Sequence, residues 1–151
     1  MNTKVINLIG GAGIGKSINA ALFFAELKLM GKTCEYVQEF AKEIVWSNHL
    51  SLLSDQRYLL EEQSKRIAVL DGKVEYIVTD GSLINQIYYN SVSNVHSDVK
   101  LQIESEILFN YFLMDNINFV INRNLNVPFE ESGRVHSLDE AIVTDNRLKE
   151  I

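Results

Sequence analysis

The sequence predicts an α/β fold of three layers, with a parallel sheet of about four strands, order 2-3-1-4, between helices on both faces. Three observations predict it. Short apolar runs alternate with longer segments whose apolar residues recur at helical spacing. The short runs are apolar at nearly every position, as strands covered on both faces are. Each run is followed at once by a glycine-rich or polar segment, beyond the carboxyl end of the strand, where ligands of open parallel sheets bind. With 151 residues, one proline (Pro128) and no Gly/Ser-rich linker, repeat or low-complexity run, the chain reads as one domain over 1–151 with a single core.

Lys4 to Ile9 is a buried strand that stops at glycines. Ser17 to Met30 follows with Leu22, Phe23, Leu27 and Met30 at helical spacing, and Gly31 is placed to cap it. Thr33 to Val37 is the second strand and Ala41 to Asn48 a short helix. Ser54 reads as the N-cap of a helix from Asp55 to about Leu70. Tyr76 to Thr79 is the third strand, Leu83 to Asn90 a helix and Ser91 to Asp98 a polar loop. Val99 to Met114 is a helix rich in Ile, Leu and Phe, and Asn118 to Ile121 is the fourth strand. Asn122 to His136 is a loop with Pro128 and Gly133. Ser137-Leu138-Asp139-Glu140 is a capping box that opens a last helix running to the end. Alternation of this kind implies right-handed crossovers. It sets Gly10–Ser17, Glu39, Asp80 and Arg123 along one edge of the sheet.

Hydrophobic residues make up 46% and charged residues 23%, which argues against long disorder. The net charge of −6 disfavours a broad nucleic-acid footprint, and only five arginines are present: Arg57, Arg66, Arg123, Arg134 and Arg147. No apolar run approaches the roughly 18–20 residues that span a bilayer, and the start lacks the features of a signal peptide. The one cysteine, Cys34, cannot form an internal disulfide and reads as a small core residue. A cytoplasmic protein is expected.

Gly10-Gly11-Ala12-Gly13-Ile14-Gly15-Lys16-Ser17 matches G-x-x-x-x-G-K-[ST], the Walker A pattern. Glycines let the backbone curl so that amides point inward at phosphate oxygens, and the following helix adds its positive end. Lys16 is placed to reach the β- and γ-phosphates of ATP, and the Ser17 hydroxyl to ligate Mg²⁺. A chance match in a glycine-rich turn is the bland alternative, and the strand–loop–helix context opposes it.

Asp80 closes an apolar strand, where an acid can hold magnesium through water; the alternative is a helix N-cap. Ser82 could assist the metal or merely cap. Glu39 follows the second strand and faces the phosphate loop. A hydroxyl acceptor has a high pKa and is helped by a carboxylate that takes its proton, whereas a phosphate acceptor needs arginines. Glu39 therefore favours a hydroxyl acceptor, against the alternatives of a surface glutamate or a partner for Lys42 or Arg57. Trp46 could stack on an acceptor base or lie in the core. Gln56 and Arg57 open the next helix and could line the acceptor pocket. Arg123 and Arg134 bracket an arginine-bearing lid, approximately 123–136, that stabilises transferring charge and excludes water; the alternative pairs them with Glu130, Glu131 or Asp139. Arg147 reads as solvated or salt-bridged. His49, His96 and His136 are scattered, and no transition-metal site is read.

Over nearly its whole length the chain resembles the thymidylate-kinase-like P-loop kinases, through Gly10–Ser17, Glu39, Asp80-Gly81-Ser82 and the loop from Arg123 to Arg134. Glu39 and Asp80-Gly81-Ser82 also look like the Glu and acid-Arg-Ser motifs of deoxynucleoside kinases, where the glutamate is the base for a sugar hydroxyl. The arginine of that second motif is Gly81 here, which leaves a donor-phosphate contact unmatched. The chain is similar, more closely, to small bacteriophage P-loop kinases and ATPases. That similarity lies in Gln38-Glu39-Phe40-Ala41-Lys42-Glu43-Ile44-Val45-Trp46, Leu53-Ser54-Asp55-Gln56, Val78-Thr79-Asp80, and Gly133-Arg134 with its following acidic helix. Some of that group are 5-hydroxymethyluridine DNA kinases. The resemblance implies a P-loop NTPase fold and a kinase that moves the ATP γ-phosphate to a hydroxyl of a nucleotide-type acceptor. Hydroxymethyluridine in phage DNA is one candidate acceptor, which would place the protein in the host cytoplasm. A nucleoside monophosphate kinase and an ATPase or regulatory nucleotide-binding module are the alternatives. A fifth strand normally helps frame adenine in such folds. Its absence implies a four-stranded sheet, or an adenine site that is open or completed by a second subunit in a homodimer.

Overall fold

The computed structural model describes residues 2–151. Four strands, β1 (Lys4–Ile9), β2 (Cys34–Val37), β3 (Tyr76–Thr79) and β4 (Asp115–Val120), form one sheet in the order β2-β3-β1-β4. Every pairing is parallel. Six helices complete the chain: α1 (Lys16–Leu29), α2 (Phe40–Trp46), α3 (Gln56–Ala68), α4 (Asn85–Val92), α5 (Ser97–Phe112) and α6 (Leu138–Leu148).

Side chains alternate across a strand, so the two parities of each run enter different cores. Val5, Val37 and Ile77 pack with Leu60 and Ile67 of α3 and with Ile103 and Ile107 of α5. Ile6, Leu8 and Val78 pack on the other face against Ala20, Phe23, Phe24 and Leu27 of α1. Helices therefore cover both faces, which is why the strands are apolar at consecutive positions. Leu8, Ile77 and Ile107 are wholly enclosed; burying each is worth roughly 1.5–3 kcal/mol. Cys34 is buried, in keeping with a core role. Among the described residues no helix is long and apolar enough to cross a membrane.

Most element boundaries differ from the sequence reading by one or two residues, and some differences are larger or change a cap. Ser54 does not cap α3: it ends a 3-10 turn over Leu50–Ser54, and the Asp55 carboxylate accepts the Tyr58 N–H at 3.0 Å instead. An ionised carboxylate is the stronger acceptor for a helix amide. Strand β4 begins three residues earlier than expected, at Asp115. Its polar start is tolerated because Asp115 pairs with Lys4 at 3.0 Å, and the Asn116 side chain accepts from Asn7 and donates to the Tyr111 carbonyl. Helix α4 continues to Val92 and α5 starts at Ser97, shortening the predicted polar loop. Helix α6 stops at Leu148. The capping box at its start is formed: the Glu140 carboxylate accepts the Ser137 N–H at 2.8 Å and the Ser137 hydroxyl accepts the Glu140 N–H.

Because all strands run the same way, their carboxyl ends share one edge. Loops 10–15, 38–39, 80–84 and 121–137 leave the sheet there and enclose the site.

Candidate functional site

The turn from β1 into α1 is built from glycine. Gly13 (φ 67) and Gly15 (φ 105) adopt left-handed backbone, which residues with a Cβ rarely do. Helix α1 has no side-chain cap, so its first amides keep no side-chain partner and its positive end opens beside the loop. Residues 12–17 line a cavity of about 710 Å³. The Lys16 ammonium is held over the loop by the carbonyls of Gly10 and Gly11, each at 2.9 Å.

Ser17 opens α1, and Asp80 follows β3, the strand that pairs with β1. Their side chains meet: the Ser17 hydroxyl donates to Asp80 Oδ2 at 2.5 Å. Asp80 Oδ1 accepts the Glu39 N–H at 2.9 Å, tying the end of β3 to the end of β2. Asp80 thus faces the glycine loop and does not cap α4, which has no side-chain cap. The Tyr36 phenol adjoins Asp80 and Ser17; burial and the Asp80 carboxylate push its pKa up, so it keeps its proton.

Glu39 lines the cavity. Burial raises its carboxyl pKa, Lys16 pulls the other way, and the Asp80 carboxylate raises it further. Behind it, Gln63 of α3 accepts the Phe40 N–H at 2.8 Å and donates to the Gln38 carbonyl at 3.3 Å, fixing the backbone on either side of Glu39. That close packing explains Gly81. A Cβ there would stand 2.7 Å from Glu39 Cα and 2.8 Å from Gln63 Nε2, so no side chain fits at the centre of Asp80-Gly81-Ser82.

The loop 121–137 folds over the glycine turn. A Cβ on Gly13 would lie 2.5 Å from the Phe129 ring, and a Cβ on Gly133 would lie 2.6 Å from the Trp46 ring. The Arg134 guanidinium stands 5.3 Å from the Phe129 ring centre and pairs with Glu130 at 3.4 Å. Arg123 is anchored more firmly. Its Nε meets Asp145 Oδ2 at 2.6 Å and its Nη2 donates to the Ala12 carbonyl at 2.8 Å. Asp145 Oδ1 accepts the Gly11 N–H at 2.7 Å, so α6, the loop and Arg123 share one carboxylate.

The structure brings Gly13, Ile14, Gly15, Lys16, Ser17 and Ala12 together with Glu39, Trp46, Arg123 and Arg134 around one cavity. Gly10 and Gly11 touch it through Lys16, and Asp80 through Ser17. Trp46 is 65% exposed and is no core residue. Arg57 is not brought in: it makes two 3.1 Å bonds to Glu106 of α5, away from the cavity, while Gln56 beside it lines the wall. Successive helix residues point about 100° apart, and here Arg57 takes the side of α3 that faces α5 while Gln56 takes the side that faces the cavity. Asp145 escaped the sequence reading. Its signal was its place in the stripe Ala141, Thr144, Asp145, Leu148, the buried face of α6; an acid on such a stripe requires a partner. Ser17 and Asp80 are an oxygen-only pair of the type magnesium accepts. Among the described residues no three acid, imidazole or thiol side chains converge on a metal position, so water and phosphate oxygens would supply the remaining ligands. No protein-family model matches the chain, and no curated protein matches it.

Proposed function

We propose that this is a P-loop kinase that binds ATP with Mg²⁺ and transfers the γ-phosphate to a hydroxyl of a nucleotide-type acceptor. The observation that carries the reading is the union, in one cavity, of a left-handed glycine turn at a helix start, a lysine over it, a serine–aspartate pair and a separate, half-buried carboxylate. The first three are a polyphosphate and metal site; the last is a base placed for a second reactant.

Residue roles follow from position. The loop amides and the α1 N-terminus neutralise phosphate oxygens. Lys16, already held by carbonyls of the loop, is positioned to bridge phosphate oxygens as it exchanges those partners. Ser17 and Asp80 hold the magnesium ion, which when bound offsets phosphate charge. Glu39 accepts the proton of the acceptor hydroxyl, and its raised proton affinity suits that task. Arg123, fixed by Asp145, and Arg134, on the lid, offset charge on the transferring group. Trp46 and the lid residues over it close the cavity to water.

A hydroxyl acceptor is favoured over a phosphate acceptor. Arg57, the cation that could have held an acceptor phosphate, is committed to Glu106. Hydroxymethyluridine in DNA is one such acceptor, and free nucleosides are another. The test is incubation with γ-labelled ATP and a panel of nucleosides, nucleoside monophosphates and DNA containing hydroxymethyluridine. Label in a nucleoside or in DNA is the expected result. Label in nucleoside diphosphates would assign the monophosphate-kinase reading, and label released only as phosphate would assign an ATPase.

A further inference from the structure

The wall of the cavity formed by α3 and α4 carries an unusual set of polar atoms. Gln56 Oε1, Ser82 Oγ, Asn85 Oδ1 and Gln86 Oε1 are all buried and all lack a hydrogen-bond partner among the described residues. All four residues line the same cavity. Ser82 is 1% exposed, Asn85 6% and Gln56 8%. Leaving a buried polar atom unpaired costs about 1–3 kcal/mol, so several on one wall indicate a ligand that completes them.

The chemistry of that ligand can be read from the wall. Gln56 Nε2 donates to the Leu53 carbonyl at 2.9 Å, which fixes its amide and leaves the oxygen for the cavity. The amide oxygens of Gln56, Asn85 and Gln86 therefore ask for hydrogen-bond donors, while the Ser82 hydroxyl can accept or donate. It offers no charge: the α3 and α4 residues that face the cavity are amides, Leu59, Tyr89 and Val92. Arg57, the nearest cation on α3, is turned to Glu106. Val45, Trp46 and Leu53 provide apolar surface on the adjoining side. A neutral, flat ring with N–H groups on its edge can pair with these oxygens and pack on the apolar side; an anion would leave the amide oxygens of Gln56, Asn85 and Gln86 unpaired.

We propose that the α3–α4 wall is a recognition site for the N–H edge of an uncharged nucleobase, read by Gln56, Asn85 and Gln86. The inference deepens the kinase reading by naming what the acceptor presents, and it rests on that reading only for the order of events. Ring binding itself needs no triphosphate. The base could arrive in a free nucleoside or within a DNA strand, and the two sources are separable.

The experiment is isothermal titration calorimetry without ATP. The ligands are thymidine, deoxycytidine and hydroxymethyldeoxyuridine, each free and within a short single-stranded oligonucleotide. Each is paired with its analogue methylated at every base N–H. At least one parent should bind, and its methylated partner should bind roughly ten- to a hundredfold more weakly, the factor for an unmade bond to a buried amide. Gln86→Met should weaken the parent by a similar factor and leave the methylated analogue unchanged. Tighter binding in the free or in the oligonucleotide form identifies the source. Equal affinity for parent and methylated analogue, or no binding by any parent in either form, overturns the proposal. Because ATP is absent, a failure here leaves triphosphate binding intact, and a failure of triphosphate binding leaves this result intact.

Discussion

Replacing Asp145 by alanine removes one carboxylate that serves two partners. Oδ1 accepts the Gly11 N–H at 2.7 Å and Oδ2 meets Arg123 Nε at 2.6 Å. Both side chains of the ion pair are shielded from solvent, at 10% and 6% exposure. Removing one member of a buried pair costs about 3–5 kcal/mol, because the other is left charged and unpaired. The orphaned Gly11 amide would add about 1–3 kcal/mol. The two losses overlap, since Arg123 keeps its bond to the Ala12 carbonyl and water can enter the space. A total near 3 kcal/mol is expected. With a urea slope of about 2 kcal/mol per molar, that moves the unfolding midpoint down by roughly 1.5 M at unchanged slope. The companion variants are Arg123→Ala and the double change Asp145→Ala with Arg123→Ala. Removing both charges should cost less than the sum of the single changes by at least about 1.5 kcal/mol. A single-variant loss below about 1 kcal/mol, or strict additivity, would refute the claim that this pair fastens α6 to the loop.

Glu39→Gln should lower the transfer rate by about 10²–10⁴ while leaving ATP affinity within about twofold, measured by steady-state kinetics and calorimetry. The acid limb of the wild-type rate profile should lie above the ordinary glutamate range, since burial raises this pKa, and it should vanish in the variant. The same shift predicts a stability trend. A carboxyl whose folded pKa is raised contributes stability below its unfolded pKa and loses it as pH rises through the folded one. Glu39→Gln should therefore gain on the wild type as pH rises above the ordinary glutamate range, followed by urea unfolding in acid and at neutral pH. Gly81→Ala should cost about 1–3 kcal/mol, because its Cβ would press on the Glu39 backbone; an unchanged melting temperature would show that the contact relaxes freely. Ile107→Ala, at the centre of the α5 core, should cost about 2–5 kcal/mol in the same assay.

The sheet was legible because strand and helix differ in hydrophobic period, and both periods are plain here. The apolar runs Lys4–Ile9 and Tyr76–Thr79 are found at those same bounds as β1 and β3. The start of β4 was not legible, because Asp115 and Asn116 look like turn residues until Lys4, Asn7 and Tyr111 are seen to satisfy them. Residues that follow a strand directly, such as Glu39 and Asp80, were placed by topology alone. Residues whose role depends on the rotation of a helix were not. Gln56 and Arg57 are adjacent in sequence and face different neighbours, one the cavity and the other Glu106. Asp145 sits on the buried stripe of α6, which signals that it has a partner, but which partners it takes depends on how α6 docks.

The most direct test of the central claim is the uptake of Mg·ATP, followed by calorimetry on the wild type and on Lys16→Ala. The wild type should bind saturably at one site, and the variant should bind roughly ten- to a hundredfold more weakly, the loss of one charge-assisted contact. A wild type that takes up no triphosphate, or a variant that binds it equally well, would contradict a phosphate site at the glycine turn.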